Sequence, residues 1–337
     1  MKPRHASDLC LAQFGLGPIG IESLRLLADK PWANVIGAVD IDPAKVGQDL
    51  GALTGCDRFN GKPVVASFAE LVSAAGKPDV VLHTAGSRAA VSIEQITPMV
   101  EQGVHVASTC EELLFPWVTA PAEADAFDAL CKKTGARVVG TGVNPGFSMD
   151  LLPVQVTGVN RRVDSIRAKR VVDATTRRGP LQVKVGSGKS PAEFSALFEQ
   201  KKAGHAGFKE SAALIAHAMG WPWDDLEETL EPVVATEPIT TDFVTVEPGQ
   251  TRGLHQRVVA RANGQVKIDL DLTMALKEPD PHDEIWIEGD PALNLRFKGG
   301  IAGDSATVAA LVNAARRLQH SPAGMLLMTD LGAPIHG

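Results

Sequence analysis

The chain of 337 residues contains no tyrosine. Short-chain oxidoreductase chemistry, which protonates through a Tyr-x-x-x-Lys pair, is therefore excluded, and acid or base work falls to Glu, Asp, His, Lys, Cys or water. Cysteine is nearly as scarce. Cys10, Cys56, Cys110 and Cys131 lie far apart with no CxxC pair, which excludes a zinc knuckle or a thioredoxin-like site. The nine histidines show no metal-ligand spacing, so no metal is expected. Also missing is any uncharged run near the ~18 to 20 apolar residues that span a bilayer. The apolar stretch Leu9 to Phe14 runs straight into a glycine pattern without a cleavage site, so no secretory signal is expected. No basic block occurs and the net charge is −7, which argues against nucleic acid or an anionic membrane as partner. Four scattered thiols point to a reducing cytoplasm.

What is present reads as a soluble chain of two domains: 44% of residues are hydrophobic and 22% charged. Short apolar runs at Leu9 to Phe14, Asn34 to Asp40, Pro63 to Ser67, Asp79 to Thr84, Val104 to Thr109 and Arg137 to Gly140 alternate with helical stretches. That order predicts α/β architecture, a Rossmann-type doubly wound parallel sheet. After about Met149 the strands alternate between apolar and polar residues. Val266, Ile268, Leu270, Leu272 and Met274 face one way, and Asn263-Gly264 joins this strand to Arg257 to Ala262 as a hairpin. A second α+β domain on a mainly antiparallel sheet is expected, with helices near Pro191 to Lys202 and Glu210 to Met219. A last helix, Ser305 to about Gln319, takes Asp304 as its N-cap. The expected boundaries are 1–150 for dinucleotide binding, 151–303 for substrate binding and dimerisation, and 304–337 for a helix returning to the first domain.

The first chemical motif is Gly15-Leu16-Gly17-Pro18-Ile19-Gly20, preceded by a strand and followed by a helix. Gly15 permits the tight turn, Gly17 lets the backbone approach a pyrophosphate, and Gly20 lets helix and strand pack closely. Asp40 ends the second strand, where it would accept hydrogen bonds from the adenosine ribose and repel a 2′-phosphate. NAD is thus favoured, with NADP still open. Asp42 also reads as the cap of a helix starting at Pro43. Thr84-Ala85-Gly86 is a strand-tip turn placed to touch the cofactor, as is Asn144, whose Asn144-Pro145 turn also stands as a substrate contact at the hand-over to the second domain.

Ser108-Thr109-Cys110-Glu111-Glu112 lies at another strand tip, where open α/β sheets place their ligands. Ser108 and Cys110 are cofactor contacts in this reading. Glu111 and Glu112 are the catalytic candidates, since a carboxylate beside a nicotinamide can bind an amine or polarise an iminium. A structural reading competes: Ser108-x-x-Glu111 and Thr109-x-x-Glu112 both fit a capping box. No base lies near Cys110 to make it a nucleophile. His83 reads as a buried strand residue. His205, between Gly204 and Ala206-Gly207, is a candidate substrate contact.

Together with Pro116, Thr141 to Phe147, Arg178 to Gln182, Gly204 to Ser211 and Gly303 to Thr307, these motifs make the chain resemble 2,4-diaminopentanoate dehydrogenase and related NAD(P)-dependent amine dehydrogenases. Their N-terminal half resembles dihydrodipicolinate reductase. The resemblance implies reversible oxidative deamination of an amine or diamine to a ketone and ammonia, a dimerising second domain, and a glutamate of the Cys-Glu-Glu segment on the nitrogen. The His-His segment and lysine of true dihydrodipicolinate reductases are absent. Two other readings stay open: an imine or enone reductase, and a non-catalytic dinucleotide sensor.

Overall fold

A computed structural model describes residues 9–200, 203–332 and 335. The chain forms two units: residues up to Phe147 together with those from Ala302 on, and Ser148–Ile301. The first unit begins with β1 (Leu9–Phe14), in which Leu9, Leu11 and Ala12 are buried. Gly17, in extended conformation, opens α1 (Pro18–Ala28), and Pro18 sits at the first helical position, where a missing N–H costs nothing. β2 (Ala33–Val39), α2 (Leu50–Thr54), β3 (Val64–Val65), α3 (Phe68–Ala75), β4 (Val80–His83), α4 (Ala89–Val100), β5 (His105–Ser108), α5 (Pro121–Thr134) and β6 (Arg137–Gly140) follow. No helix begins at Pro43. Asp42 instead accepts the Ala44 N–H at 3.0 Å and closes a turn.

The second unit runs α6 (Leu151–Val156), β7 (Arg162–Asp173), α7 (Gly179–Lys184), α8 (Pro191–Glu199), α9 (Phe208–Ala218) and β8 (Asp225–Val234). It continues through β9 (Ile239–Thr240), β10 (Thr245–Val246), β11 (Thr251–Ala262), β12 (Gln265–Ala275), β13 (His282–Asp290) and β14 (Leu293–Lys298). The helix expected to reach Lys202 ends at Glu199; Lys201 and Lys202 lie outside the described residues. Six strands form one sheet in the order β14-β13-β7-β12-β11-β8. It is antiparallel except for the β7–β12 pair. Asn263 and Gly264, both at positive φ, make the turn between β11 and β12.

Ile268, Leu270 and Leu272 of β12 pack with Ile166 and Ala168 of β7 and with Phe208, Ala212 and Ile215 of α9. The apolar sheet face needs no partner subunit, because helices of the same chain cover it. The other face is polar and cross-paired, with Arg257 to Asp269 at 2.7 Å and His255 to Asp271 at 2.9 Å. Inside the unit, the buried Arg170 guanidinium meets Asp283 at 2.6 Å and donates to the Ile301 carbonyl at 2.6 Å.

From Ala302 the chain rejoins the first unit as α10 (Gly303–Leu318) and β15 (Gly324–Leu326). The N-cap of α10 is Ala302, not Asp304, which lies inside the first turn. A carboxylate there still favours the helix through the dipole. The parallel sheet of this unit has the order β15-β6-β5-β4-β1-β2-β3.

Candidate active site

Because this seven-stranded sheet is parallel, the carboxyl ends of its strands share one edge. Between β1 and β4 the strand order reverses, the place where such sheets bind their ligands. The glycine turn sits there. Gly15 has φ +90°, and a Cβ on it would press against Thr84 at 3.0 Å. A Cβ on Gly20 would stand 2.0 Å from the Gly15 carbonyl oxygen. Gly17 differs: no atom lies within 4 Å of its Cβ position. Pro18 beside it is exposed, Ile19 half-buried and Leu16 buried. From behind, Gln13 Nε2 and Thr84 Oγ1 donate to the Gly15 carbonyl at 3.0 and 2.9 Å. No side chain caps α1, so its first-turn N–H groups face the open side of the turn. Ala85 and Gly86 continue the Thr84 turn, with Gly86 exposed.

Asp40 follows β2 and braces this loop. Its Oδ2 accepts the Leu16 N–H at 2.6 Å, and its Oδ1 accepts the Asp42 N–H at 2.8 Å. Lys45 Nζ stands 3.6 Å from Asp40 and 3.3 Å from Asp42. Ile41, next in the chain, is 85% exposed.

At the tip of β5 neither capping box forms. The Ser108 hydroxyl accepts the Cys110 N–H at 3.1 Å, one residue short of the capping position, and meets His83 Nδ1 at 2.8 Å. His83 Nε2 meets Gln95 Oε1 at 3.0 Å. A neutral ring with Nε2–H satisfies this whole chain, since Nδ1 then accepts from Ser108. Burial pushes the His83 pKa down to about 4, which keeps that form. Ser108 and Cys110 are buried, and burial pushes the Cys110 thiol up to about 11. The Cys110 side chain is thus core, neither a nucleophile nor a side-chain ligand for a cofactor.

The two glutamates part company. Glu112 is buried and accepts from Arg88 Nη1 at 2.8 Å and from the Ala89 N–H at 2.8 Å. It caps α4 from outside that helix, a reciprocal of neither Ser108 nor Thr109. Glu111 is half-buried, and among the described residues its carboxylate has no hydrogen bond or ion pair. Of the pair, only Glu111 keeps its charge for something else.

The loop after β6 is tight. A Cβ on Gly146 would lie 2.3 Å from the Gly142 nitrogen, and the Val143 N–H donates to Thr307 of α10 at 3.3 Å. Asn144 is half-buried and Pro145 buried. His205 belongs to the second unit, where the Gln256 amide clamps its backbone at 2.7 and 3.1 Å. Among the described residues no cluster of three His, Cys, Asp or Glu could hold a metal ion.

Residues 147–336 match the family profile described as the 2,4-diaminopentanoate dehydrogenase C-terminal domain. The chain belongs to the 2,4-diaminopentanoate dehydrogenase family. It is 28% identical over 327 residues to the 2,4-diaminopentanoate dehydrogenase of Acetoanaerobium sticklandii, across 95% of this chain and 92% of that one. An amine dehydrogenase of Streptomyces virginiae is 24% identical over 323 residues, across 90% and 89% of the two chains. The solved amine dehydrogenase of Mycobacterium smegmatis shares the fold, with TM-score 0.86, 24% identity, and 99% and 98% of the chains covered. The WlbA dehydrogenase of Bordetella pertussis, solved in complex with NADH and UDP-GlcNAcA, matches at TM-score 0.51 and 14% identity over 86% and 74% of the chains. In this member of the 2,4-diaminopentanoate dehydrogenase family, sequence reasoning missed Arg88, Lys45 and Gln13. Arg88 meets a residue 24 positions away and has no local signal. Lys45 did have one, three residues from Asp42 on a short turn.

Proposed function

We propose that this chain is an NAD(P)-dependent dehydrogenase that interconverts an amine or diamine with a ketone and ammonia. The observation that carries it is Glu111, a carboxylate without a partner among the described residues, on the same sheet edge as the glycine turn. The family membership and its dehydrogenase relatives support the reading.

The residues present fit a dinucleotide. The turn is open at Gly17, where the pyrophosphate would lie, and the uncapped N-terminus of α1 supplies donors and positive dipole. Asp40 keeps two of its four lone-pair sites for ribose hydroxyls after serving two backbone N–H groups. When bound, the nicotinamide exchanges a hydride with the substrate carbon. Glu111 pairs with the substrate ammonium and passes one of its protons to solvent, so that the neutral amine loses hydride; its carboxylate then stabilises the iminium left behind and takes a proton from the water that adds to it. That proton passes from Glu111 to the carbinolamine nitrogen, the hydroxyl gives its proton to water, and the C–N bond breaks to leave ammonia and the ketone. Asn144 and Pro145 bound the substrate on the β6 side in this proposal. Thr84, Ala85 and Gly86 border the cofactor.

A panel of amines, diamines and ketones with NAD(H) and NADP(H), followed at the nicotinamide absorbance, tests the reading. Ketone reduction that requires ammonium is expected. Reduction of cyclic imines without ammonium would favour the imine reductase reading, and dinucleotide binding with no turnover on any substrate would favour a sensor. The proposal places the enzyme in the cytoplasm as a homodimer, on the four free cysteines and the dimerising second domain of the resembled family. A monomer in light scattering at micromolar concentration would remove the dimer.

A further inference from the structure

Three charges crowd the tip of β2. Asp40 and Asp42 carry two negative charges, and Lys45 reaches back between them. Its distances, 3.6 and 3.3 Å, exceed those of a charge-assisted hydrogen bond, so both pairs are loose. The Lys45 side chain is 29% exposed, while Asp40 is 10% exposed and pinned by two backbone N–H groups. The carboxylate is rigid and the ammonium movable.

We propose that Lys45 is the ligand for a ribose 2′-phosphate, held in reserve by Asp40 and Asp42, so that this chain takes NADP(H) as well as NAD(H). The inference rests on the dinucleotide reading of the glycine turn. With a free ribose, Asp40 accepts from the hydroxyls and Lys45 stays on the two carboxylates. With a phosphorylated ribose, Asp40 alone would repel the ligand. Lys45 then swings a few ångströms onto the phosphate, trading two loose ion pairs for a dianion with better acceptors. Asp42 matters in a second way. It competes for the ammonium, and the Ala44 N–H and Lys45 hold its carboxyl below the usual carboxylate range, so the competitor stays charged. Arg58, also in this half of the chain, is spent on the carbonyls of Ala28, Lys30 and Ala33. The turn after Asp40 folds Lys45 back onto its carboxylate, past Ile41, Asp42 and Pro43.

The test measures dissociation constants of NADH and NADPH by nicotinamide fluorescence, with no substrate present. The unaltered protein should bind both, with Kd for NADPH no more than roughly 100-fold above that for NADH. K45M should raise the ratio of the two constants by roughly tenfold or more, the loss of one charge-assisted contact. K45R should keep the ratio near its starting value. D42N, which frees the ammonium, should lower it by roughly threefold. K133M, a charge removed from α5, should leave it unaltered. An unchanged ratio in K45M, or NADPH binding too weak to measure in the unaltered protein while NADH binds, overturns the assignment of Lys45 and leaves the dinucleotide reading standing. Failure of both nucleotides to bind overturns the dinucleotide reading and this inference with it.

Discussion

Glu112 gives its charge to Arg88 and to the first N–H of α4, whereas the neighbouring Glu111 gives its charge to no described residue. Substitution should therefore separate them by what is lost. E112Q weakens two charge-assisted hydrogen bonds at a buried site and should lower stability by about 1 to 3 kcal/mol, read as a fall in melting temperature. E111Q should keep the melting temperature and NADH affinity while amine turnover drops ~100-fold, the scale of a lost general base. Two active, slightly less stable variants would end the catalytic reading. His83 supplies a second residue-scale prediction. Its folded pKa of about 4 lies below the unfolded value of ~6.5, so the unfolded chain binds the extra proton between these limits. Stability from this site is present above pH ~6.5 and is lost as pH falls toward 4, by up to ~3 kcal/mol. Urea titrations of the unaltered protein and of H83Q at pH 7, 5.5 and 4.5 check it. A parallel fall in both would exclude His83 as the source.

Elements explain why three glycines no more than five residues apart do different work. Gly15 ends β1 with a backbone that ordinary side chains avoid, and Gly20 lets α1 lie against that same turn. Gly17 has ordinary extended backbone and no neighbour at its Cβ position. G17V should fold with a melting temperature near that of the unaltered protein and lose dinucleotide binding, because the new methyls occupy the phosphate space. G20V should not yield a folded first unit, since its Cβ would collide with a carbonyl oxygen that cannot move without breaking the turn. A folded G17V with unchanged NADH affinity would reject the phosphate site. The start of α4 shows the same principle from the other side. It has no side-chain cap of its own, and the cap comes from Glu112 beyond β5.

On the scale of the molecule, the chain leaves the first unit at Phe147 and comes back at Ala302. The return is structural. α10 buries Val308, Leu311, Val312, Ala315 and Leu318, and β15 pairs with β6 at the sheet edge. The four larger ones, Val308, Leu311, Val312 and Leu318, at about 1.5 to 3 kcal/mol each come to about 6 to 12 kcal/mol, comparable with the ~5 to 15 kcal/mol that holds a typical domain together. A fragment ending at residue 301 should thus lose cooperative unfolding of the first unit and all dinucleotide binding. The fragment 148–301 contains its own sheet, helices and core, and should keep a cooperative β-rich melt by circular dichroism. NADH binding by the shortened chain would show that α10 is dispensable.

Local chemistry was legible before any coordinates. The strand, glycine turn and helix at Leu9 to Ala28, the aspartate closing β2, and the Asn263-Gly264 hairpin depend on neighbours within a few residues, so their side chains announce them. The change from buried parallel strands to alternating ones marks the second fold class for the same reason. Pairings across long separations left no such mark. β7 lies between β12 and β13 although about a hundred residues divide them in sequence, because register and burial, not proximity, choose a strand's neighbours. The roles of Glu111 and Glu112 were indistinguishable on the same ground. Adjacent glutamates have one chemistry, and only the fold brings Arg88 and the start of α4 to the second of them, leaving the first with its charge uncommitted.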